Sequence, residues 1–238
     1  MLEIINSSND PFFNLALEEY LLDREDIEED IFLLWQNRPV VVVGRNQNTL
    51  EEINQSFIKA KDIIVARRIS GGGAVYHDFG NLNFTFIINE EPSPTLNFTR
   101  FTAPVIKALE MIGVKAEDQG RNDISIQGKK FSGNAQCRRH GRVMHHGAIL
   151  FDVNLEDMQK ALTVDPAKIA SKGVKSVRSR VTNIKEHISS PLSMEEFKDI
   201  LSNAIDPDRE SRQLSPSELL AVQALRDNKF SRWEWIYG

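Results

Sequence analysis

Cations followed at once by glycines between two strands suit a ligand that carries phosphate, and residues 67–86, RRISGGGAVYHDFGNLNFTF, have that order. Arg67 and Arg68 end an apolar run, Ile63-Ile64-Val65-Ala66, that reads as a buried strand. Ser70, Gly71, Gly72 and Gly73 follow, and Leu82 to Ile88 reads as a second strand. Glycine lets the backbone turn with positive φ and approach closely, so that its N–H groups point at an anion. Guanidinium groups bind phosphate or carboxylate with two prongs. Three glycines alone equally describe a tight hairpin with surface arginines. Neither common nucleotide loop fits. A Walker loop ends in Gly-Lys-Ser/Thr, whereas Gly73 is followed by Ala74-Val75-Tyr76. A dinucleotide fingerprint opens a helix, whereas a strand-like segment follows here.

Other residue types able to do chemistry are scattered. Lys129 and Lys130 stand in Gly128-Lys129-Lys130-Phe131-Ser132-Gly133, at the expected start of a strand after a tight turn. Alternation sends the two lysines to opposite faces, and an inward lysine is costly unless it meets an anion. Both are otherwise solvated turn residues. His77-Asp78 has the composition of an acid/base pair, but Asp78 is placed to cap the turn before Gly80. His145-His146 invites a metal reading. Adjacent strand residues face opposite sides, however, and no His/Cys cluster accompanies them. Asp123 alone is an ordinary turn carboxylate. Cys137 stands among Arg138, Arg139 and His140, a cationic setting that lowers a thiol pKa; a buried, incidental thiol fits as well. Lys172 to Val181 is basic and contains Gly and Ser, which reads as a mobile loop able to steer an acidic partner.

The elements that must position these residues can be traced along the chain. Asp10-Pro11 starts a helix, with an N-cap and Pro at the first helical position, and Phe13, Ala16, Leu17, Tyr20 and Leu21 share one face. Ile31–Trp35 and Val40–Val43, joined by Asn37-Arg38-Pro39, read as a strand pair. Glu51 to Ala60 reads as a short helix, and Asn97 to Ile112 as a helix closed by Gly113. Ile124–Gln127, Phe131–Ala135 and Ala148–Val153 read as strands. Leu155–Leu162, Met194–Ile205 and Pro216–Asp227 read as helices, with a linker-like stretch over Ile205–Ser217. Irregular interleaving of strands and helices argues for an α+β fold with a mixed or antiparallel sheet core flanked by helices.

Composition sets bounds. The chain has 238 residues, 41% hydrophobic and 26% charged, enough for one large domain with a proper core. A net charge of −5 with mixed signs disfavours nucleic acid as the partner. One cysteine excludes an internal disulfide framework and suits a reducing compartment. The absence of a leader-like start or a long apolar run leads to the expectation of a cytoplasmic protein with no membrane role.

Read together, these pieces resemble one family, the lipoate–protein ligases of the biotin/lipoate ligase superfamily. The resemblance runs over nearly the whole chain. It is carried, in the family's order, by Asp10-Pro11-Phe12-Phe13-Asn14-Leu15-Ala16-Leu17-Glu18-Glu19, Gly44-Arg45-Asn46-Gln47-Asn48 and the 67–86 string. Gly120-Arg121-Asn122-Asp123-Ile124, Gly128 to Gly133, His145-His146-Gly147, Lys172 to Val181 and Trp233-Glu234-Trp235 complete it. The biotin branch fits less well, because its Gly-Arg-Gly-Arg-x-Gly loop is absent.

The resemblance implies ATP-dependent formation of lipoyl-AMP, with magnesium, and transfer of the lipoyl group to a lysine of lipoyl-domain proteins. Such acceptors are the E2 subunits of 2-oxoacid dehydrogenases and the glycine cleavage H protein. Lys130 matches the family's ligand lysine, bridging the acyl carboxylate and the phosphate. Arg68, Ser70, Gly71, Gly72, Gly73, Ala74, Val75 and Tyr76 match the nucleotide-binding segment. Asn122 and Asp123 could hold the adenine or a magnesium ion. Gly44, Arg45, Gln47, Asn48, Ala135, His146 and Gly147 would flank the lipoyl tail, with Val43 and Val75 as further walls. Lys172, Ser176 and Arg180 would close over the adenylate. Related octanoyl transferases carry a cysteine just before the Asn122-Asp123 position or at that of Val143, and this chain has none at either place. A transferase, or a non-catalytic lipoate-binding module, remains the alternative. Residues 1–238 read as a single catalytic domain. The small accessory domain that commonly follows is expected to be absent, or supplied by a separate protein.

Overall fold

A computed structural model describes residues 1–89, 98–119, 122–163 and 181–238. Its strands are β1 (Leu2–Ile4), β2 (Ile31–Trp35), β3 (Val40–Val43), β4 (Ile64–Arg67), β5 (Val75–His77), β6 (Asn81–Asn89), β7 (Glu117–Asp118), β8 (Asp123–Ile126), β9 (Lys129–Arg139), β10 (Arg142–Leu150) and β11 (Glu210–Arg212). Its helices are α1 (Pro11–Leu22), α2 (Thr49–Glu52), α3 (Gln55–Lys61), α4 (Thr99–Met111), α5 (Leu155–Ala161), α6 (Met194–Ile205), α7 (Pro216–Leu225) and α8 (Trp233–Tyr237). None of the described helices is long and apolar enough to cross a membrane.

An eight-stranded sheet runs in the order β11-β1-β2-β6-β10-β9-β8-β7, and a three-stranded sheet in the order β4-β3-β5. β1 is parallel to both β11 and β2, while β2, β6, β10 and β9 pair antiparallel. In the small sheet β3 lies parallel to β4 and antiparallel to β5. The architecture is the expected mixed-sheet α+β fold.

Side-chain alternation divides the core. One face of the large sheet buries Phe84, Phe86 and Phe131 against Phe101 and Val105 of α4 and Phe197 of α6. The other face meets α1 and the small sheet through Leu33, Trp35, Val40 and Val42. The far face of the small sheet packs Val41, Val43 and Tyr76 onto α3 and α5. All four valines of β3 are buried, each worth about 1.5–3 kcal/mol of transfer free energy. That explains a strand with no polar side.

α1 begins as expected. Asp10 accepts from the Phe12 N–H at 3.1 Å, with Pro11 opening the first turn. The helix buries more than one apolar face, however, because Asn14, Glu18 and Glu19 are enclosed as well. Buried polar groups need partners, and Asn14, Glu19 and Oε1 of Glu18 have them, whereas Glu18 Oε2 has none among the described residues. Glu19 takes Arg139 at 2.7 Å and Lys229 at 2.6 Å.

Several expectations are corrected. β2 and β3 are not a pair; each belongs to a different sheet, because Asn37-Arg38-Pro39 carries the chain from one layer to the other. The 51–60 helix is two helices, broken where Asn54 caps the second by accepting from the Phe57 N–H. β5 stands as a strand between the glycines and β6. The 205–217 stretch contains the edge strand β11, held beside β1.

Candidate active site

A cleft of about 170 Å³ lies between the large sheet and the small one. Its floor is Trp35 of β2, Asn83 of β6, His146 and Ala148 of β10, and Gly133 and Ala135 of β9. Its other wall is Val42, Arg68 and the segment Gly72 to Val75, with His77 beyond. Lys130 and Asn122 stand at the mouth.

The glycine loop is built around Arg68, which is 6% exposed. Arg68 Nη2 donates to the Gly71 and Gly73 carbonyls, both at 2.8 Å. Its Nη1 donates to the Val42 carbonyl at 3.1 Å, and its Nε donates to Ser70 Oγ at 3.1 Å. A guanidinium drawn into low dielectric is a poor acid-holder, so burial lowers its pKa to about 10, opposed by the charge of Glu18. Gly72 has φ +97°, and a Cβ there would come within 3.0 Å of Arg68 Nη2. Glycine is therefore required at Gly72 on two counts. Gly44 meets the same loop: any Cβ on it would run into the Gly72 carbonyl oxygen.

Lys130 is the inward member of its pair, while Lys129 is exposed. The turn before it uses Gln127 at φ 51° and Gly128 at φ 76°. Lys130 Nζ lies 2.7 Å from Asp123 Oδ1, both side chains being roughly two-fifths exposed at 41% and 38%. A pair exposed to this degree is worth about 0–1 kcal/mol, so the ammonium can change partner when a stronger anion arrives. Gly133 makes room for it, because a Cβ there would sit 2.7 Å from Nζ.

Beneath the slot runs a buried polar chain that the sequence did not reveal. Trp35 Nε1 donates to Thr85 Oγ1 at 2.9 Å, and Thr85 Oγ1 donates to Glu18 Oε1 at 2.6 Å. His146 Nδ1 donates to the same carboxylate oxygen at 2.9 Å, and His146 Nε2 lies 2.6 Å from Ser70 Oγ. The chain ties α1, the large sheet and the glycine loop together. It fixes the ring that the resemblance assigned to the acyl pocket.

Arg67 was read only as one of two cations. It is 4% exposed and organises the turn after β3. Its Nη1 donates to the carbonyls of Gly44, Arg45 and Gln47 at 3.0, 2.9 and 2.8 Å. Its Nη2 donates to Thr49 Oγ1 at 2.7 Å and to the Ile236 carbonyl at 2.8 Å. Trp235 Nε1 returns a bond to the Arg67 carbonyl at 2.9 Å, so α8 is fastened to β4.

The expected residues divide accordingly. Arg68, Gly72, Gly73, Ala74, Val75, Asn122, Lys130, Ala135, His146 and Gly147 converge on the cleft. Ser70 and Gly71 shape its loop, and Asp123 reaches it through Lys130. Gln47 closes the Gly44 turn, accepting from the Gly44 N–H at 2.8 Å, and Asn48 caps α2. Arg45 is exposed. Tyr76 points its ring into the far face of the small sheet, where burial raises its pKa, and it does not line the cleft. Val43 faces the same far layer, and Val42 lines the cleft in its place. His145 faces away from His146, stacked on Phe101 at 4.4 Å, and among the described residues no cluster of His, Cys, Asp or Glu could hold a metal. Asp78 accepts from the Gly80 N–H at 2.8 Å, the expected turn cap, whereas His77 lines the cleft. Lys172, Ser176 and Arg180 lie outside the described residues.

Comparison with known proteins gives a consistent answer. Residues 10–206 match the family model for the lipoyl protein ligase A/B catalytic domain. The chain is 47% identical to lipoate–protein ligase 1 of Staphylococcus aureus, over 98% of this chain and 72% of that one. Its fold matches the bipartite lipoate protein ligase of Thermoplasma acidophilum, characterised with its E2 lipoyl domain. The TM-score is 0.87 at 28% identity, over 100% of this chain and 95% of that one. It also matches a lipoate–protein ligase A bound with ATP, with a TM-score of 0.83 at 25% identity, over 100% and 98% of the two chains. Family match and fold agree with the cleft: this chain belongs to the lipoyl protein ligase A/B catalytic-domain family.

Proposed function

We propose that this chain activates lipoate with ATP to lipoyl-AMP and transfers the lipoyl group to a specific lysine of lipoyl-domain proteins. The observation that carries the reading is one ammonium, Lys130, facing a glycine loop across a slot whose floor is largely apolar. A carboxylate is a poor electrophile, so amide formation needs a mixed anhydride. A lipoate oxygen attacks the α-phosphorus of ATP, and the bond to pyrophosphate breaks. The acceptor amine then attacks the acyl carbonyl, AMP leaves, and the nitrogen loses a proton.

Lys130 bridges the acyl carboxylate and the α-phosphate, exchanging Asp123 for the charge that builds in the transition state. The backbone of Gly72 to Val75, held by Arg68, lies along the nucleotide. Arg68 thus acts mainly by shaping the loop, since its donors serve carbonyls. Val42, Val75, Ala135 and His146 enclose the acyl tail beside the Gly44 turn. Magnesium binds through few carboxylates and the substrate's phosphates. Asp123 would supply one such carboxylate, and the ion would neutralise phosphate charge there. Residues 1–238 are read as one catalytic domain.

The acceptors are lipoyl domains of 2-oxoacid dehydrogenase E2 subunits and the glycine cleavage H protein. A route through a cysteine thioester lacks support, because Cys137 packs half-buried against the core and burial pushes its thiol up to about 12.

The test is the intact mass of a lipoyl-domain acceptor after incubation with this chain, lipoate, ATP and magnesium. A lipoyl increment that requires ATP is expected. A rerun with preformed lipoyl-adenylate separates the two steps, and no increment in either arm overturns the reading.

A further inference from the structure

His145 is the member of the His145-His146-Gly147 run that does not line the cleft. It is fully buried on the α4 side of the large sheet, stacked on the ring of Phe101 at 4.4 Å and on that of Phe84 at 6.0 Å. Both ring nitrogens are engaged, and the direction of each bond follows from a fixed end. Asn134 Nδ2 donates to the Asn122 carbonyl at 3.0 Å, and a carbonyl can only accept. The other end of that amide, Oδ1, therefore faces His145 Nε2, at 3.2 Å, and Nε2 carries the proton. Burial holds the ring's pKa near 3, so the ring is neutral and Nδ1 is bare. Gln136 Nε2 donates to Nδ1 at 2.9 Å. Gln136 Oε1 is left buried with no partner among the described residues. Turning that amide over would set its oxygen against the bare Nδ1, so it keeps this orientation despite the cost. The chain of donors runs one way, from Gln136 through His145 and Asn134 to Asn122.

Its end lies at the mouth of the cleft. The Asn122 carbonyl also accepts from the Asn134 backbone N–H, at 2.8 Å. The strand ladder alone does not fix this place, because the β8–β9 register shifts between Ile124 and Ser125. Asp123, next in the chain, holds the Lys130 ammonium at 2.7 Å. Gly147 belongs to the same device, since a Cβ there would run into Asn134 Oδ1 and the Phe84 ring. Glycine leaves the space in which the Asn134 amide lies.

We propose that His145 is a positioning residue for acyl activation: through its Nε2–H and Asn134 it holds Asn122 and Asp123 in place, and with them the Lys130 ammonium, while touching no substrate itself. The activation step is that of the function proposed above, on which the assignment rests. Histidine suits the task because one ring accepts at one edge, donates at the other and stacks on phenylalanine between. Phenylalanine supplies the stacking alone, and glutamine the hydrogen bonding alone.

The test sets these two variants against each other. His145→Phe keeps the stack and strands Asn134 Oδ1. His145→Gln places an amide N–H where Nε2–H was and gives up the stack. Turnover is measured as lipoylation of a lipoyl-domain acceptor. Hydrogen exchange of the Asn134 amide reads the hold on Asn122 without turnover. In His145→Phe, kcat should fall about tenfold, the equivalent of one hydrogen bond, with KM for lipoate unmoved. Its Asn134 amide should exchange about tenfold faster. His145→Gln should keep wild-type kcat and Asn134 exchange in spite of a lower urea midpoint, an order that a purely stabilising histidine would reverse. Nitrogen-15 NMR of the unmutated protein should show His145 protonated on Nε2. Full turnover or unchanged Asn134 exchange in His145→Phe, a His145→Gln no better than His145→Phe, or a ring protonated on Nδ1 overturns the assignment. A wild type without turnover overturns the acyl-adenylate reading alone, because exchange still decides what holds Asn122.

Discussion

Gly133→Ala should separate the position of Lys130 from the stability of the fold. A Cβ on Gly133 falls 2.7 Å from Lys130 Nζ and 2.9 Å from Cε. Unstrained contact between such atoms begins at roughly 3.5 Å, so the ammonium must retreat by about 0.8 Å. What yields is the far end of a flexible side chain in a weak, half-exposed ion pair. The cost to folding is therefore small, within about 0.5 kcal/mol. It is offset by the smaller entropy of an unfolded chain with alanine, worth about 0.4–1 kcal/mol. The reaction is less forgiving, because a misplacement of about 1 Å costs on the order of 100-fold. The assay is kcat/KM for lipoylation of a lipoyl-domain acceptor, beside a urea unfolding curve. Activity should fall roughly 30- to 100-fold with the urea midpoint unmoved. Lys130→Ala should lose about 100-fold or more. The double variant should be little worse than Lys130→Ala, since the displaced group is already gone. Wild-type turnover in Gly133→Ala, or losses that simply multiply in the double variant, would refute the reasoning.

Gly44→Ala makes the opposite case, because its Cβ meets the Gly72 backbone, which cannot swing aside. It should cost more than about 2 kcal/mol in urea unfolding and weaken lipoate binding as well. Arg67→Ala strands the carbonyls of Gly44, Arg45, Gln47 and Ile236. A loss of about 3 kcal/mol or more is expected, since each stranded buried acceptor costs about 1–3 kcal/mol, and a melting curve close to wild type would contradict the role given to Arg67. Acid stability should depend on buried histidines, since burial holds His77 and His145 near pKa 3, below the ordinary 6.5. Between those values the unfolded chain binds protons that the folded one refuses. Stability should then drop on acidification by up to about 1.4 kcal/mol per pH unit for each. His145→Phe should flatten the slope measured below pH 6, and an unchanged slope would count against it.

What the sequence made legible is what local rules determine. Asp10-Pro11 had to open a helix, Gly113 had to close one, and Lys130 had to differ from Lys129 once both stood at the head of a strand. The glycine loop was recognisable because positive φ and close backbone approach restrict residue type at Gly72 and Gly44. Parity was not legible in β3. Four consecutive valines carry no alternation, so nothing local distinguishes Val42, which lines the cleft, from Val43, which faces the other layer.

The polar interior was hidden for a different reason. Glu18, Thr85, His146, Ser70 and Arg68 come from elements far apart in sequence, and each alone is an ordinary surface residue type. Their burial is tolerable only because each satisfies another, and that condition becomes visible only when the two sheets and α1 are brought together. The same holds for Arg67 and Arg68. They are adjacent in sequence, yet alternation sends one guanidinium to the Gly44 turn and α8, and the other to the carbonyls of the glycine loop. A pair that suggested phosphate ligands is thus foremost a pair of backbone organisers. Among the described residues, the positive charge left accessible at the cleft belongs to Lys130, paired with a half-exposed Asp123. On the proposed reading, a site arranged this way uses its buried cations for geometry and its half-exposed one for chemistry.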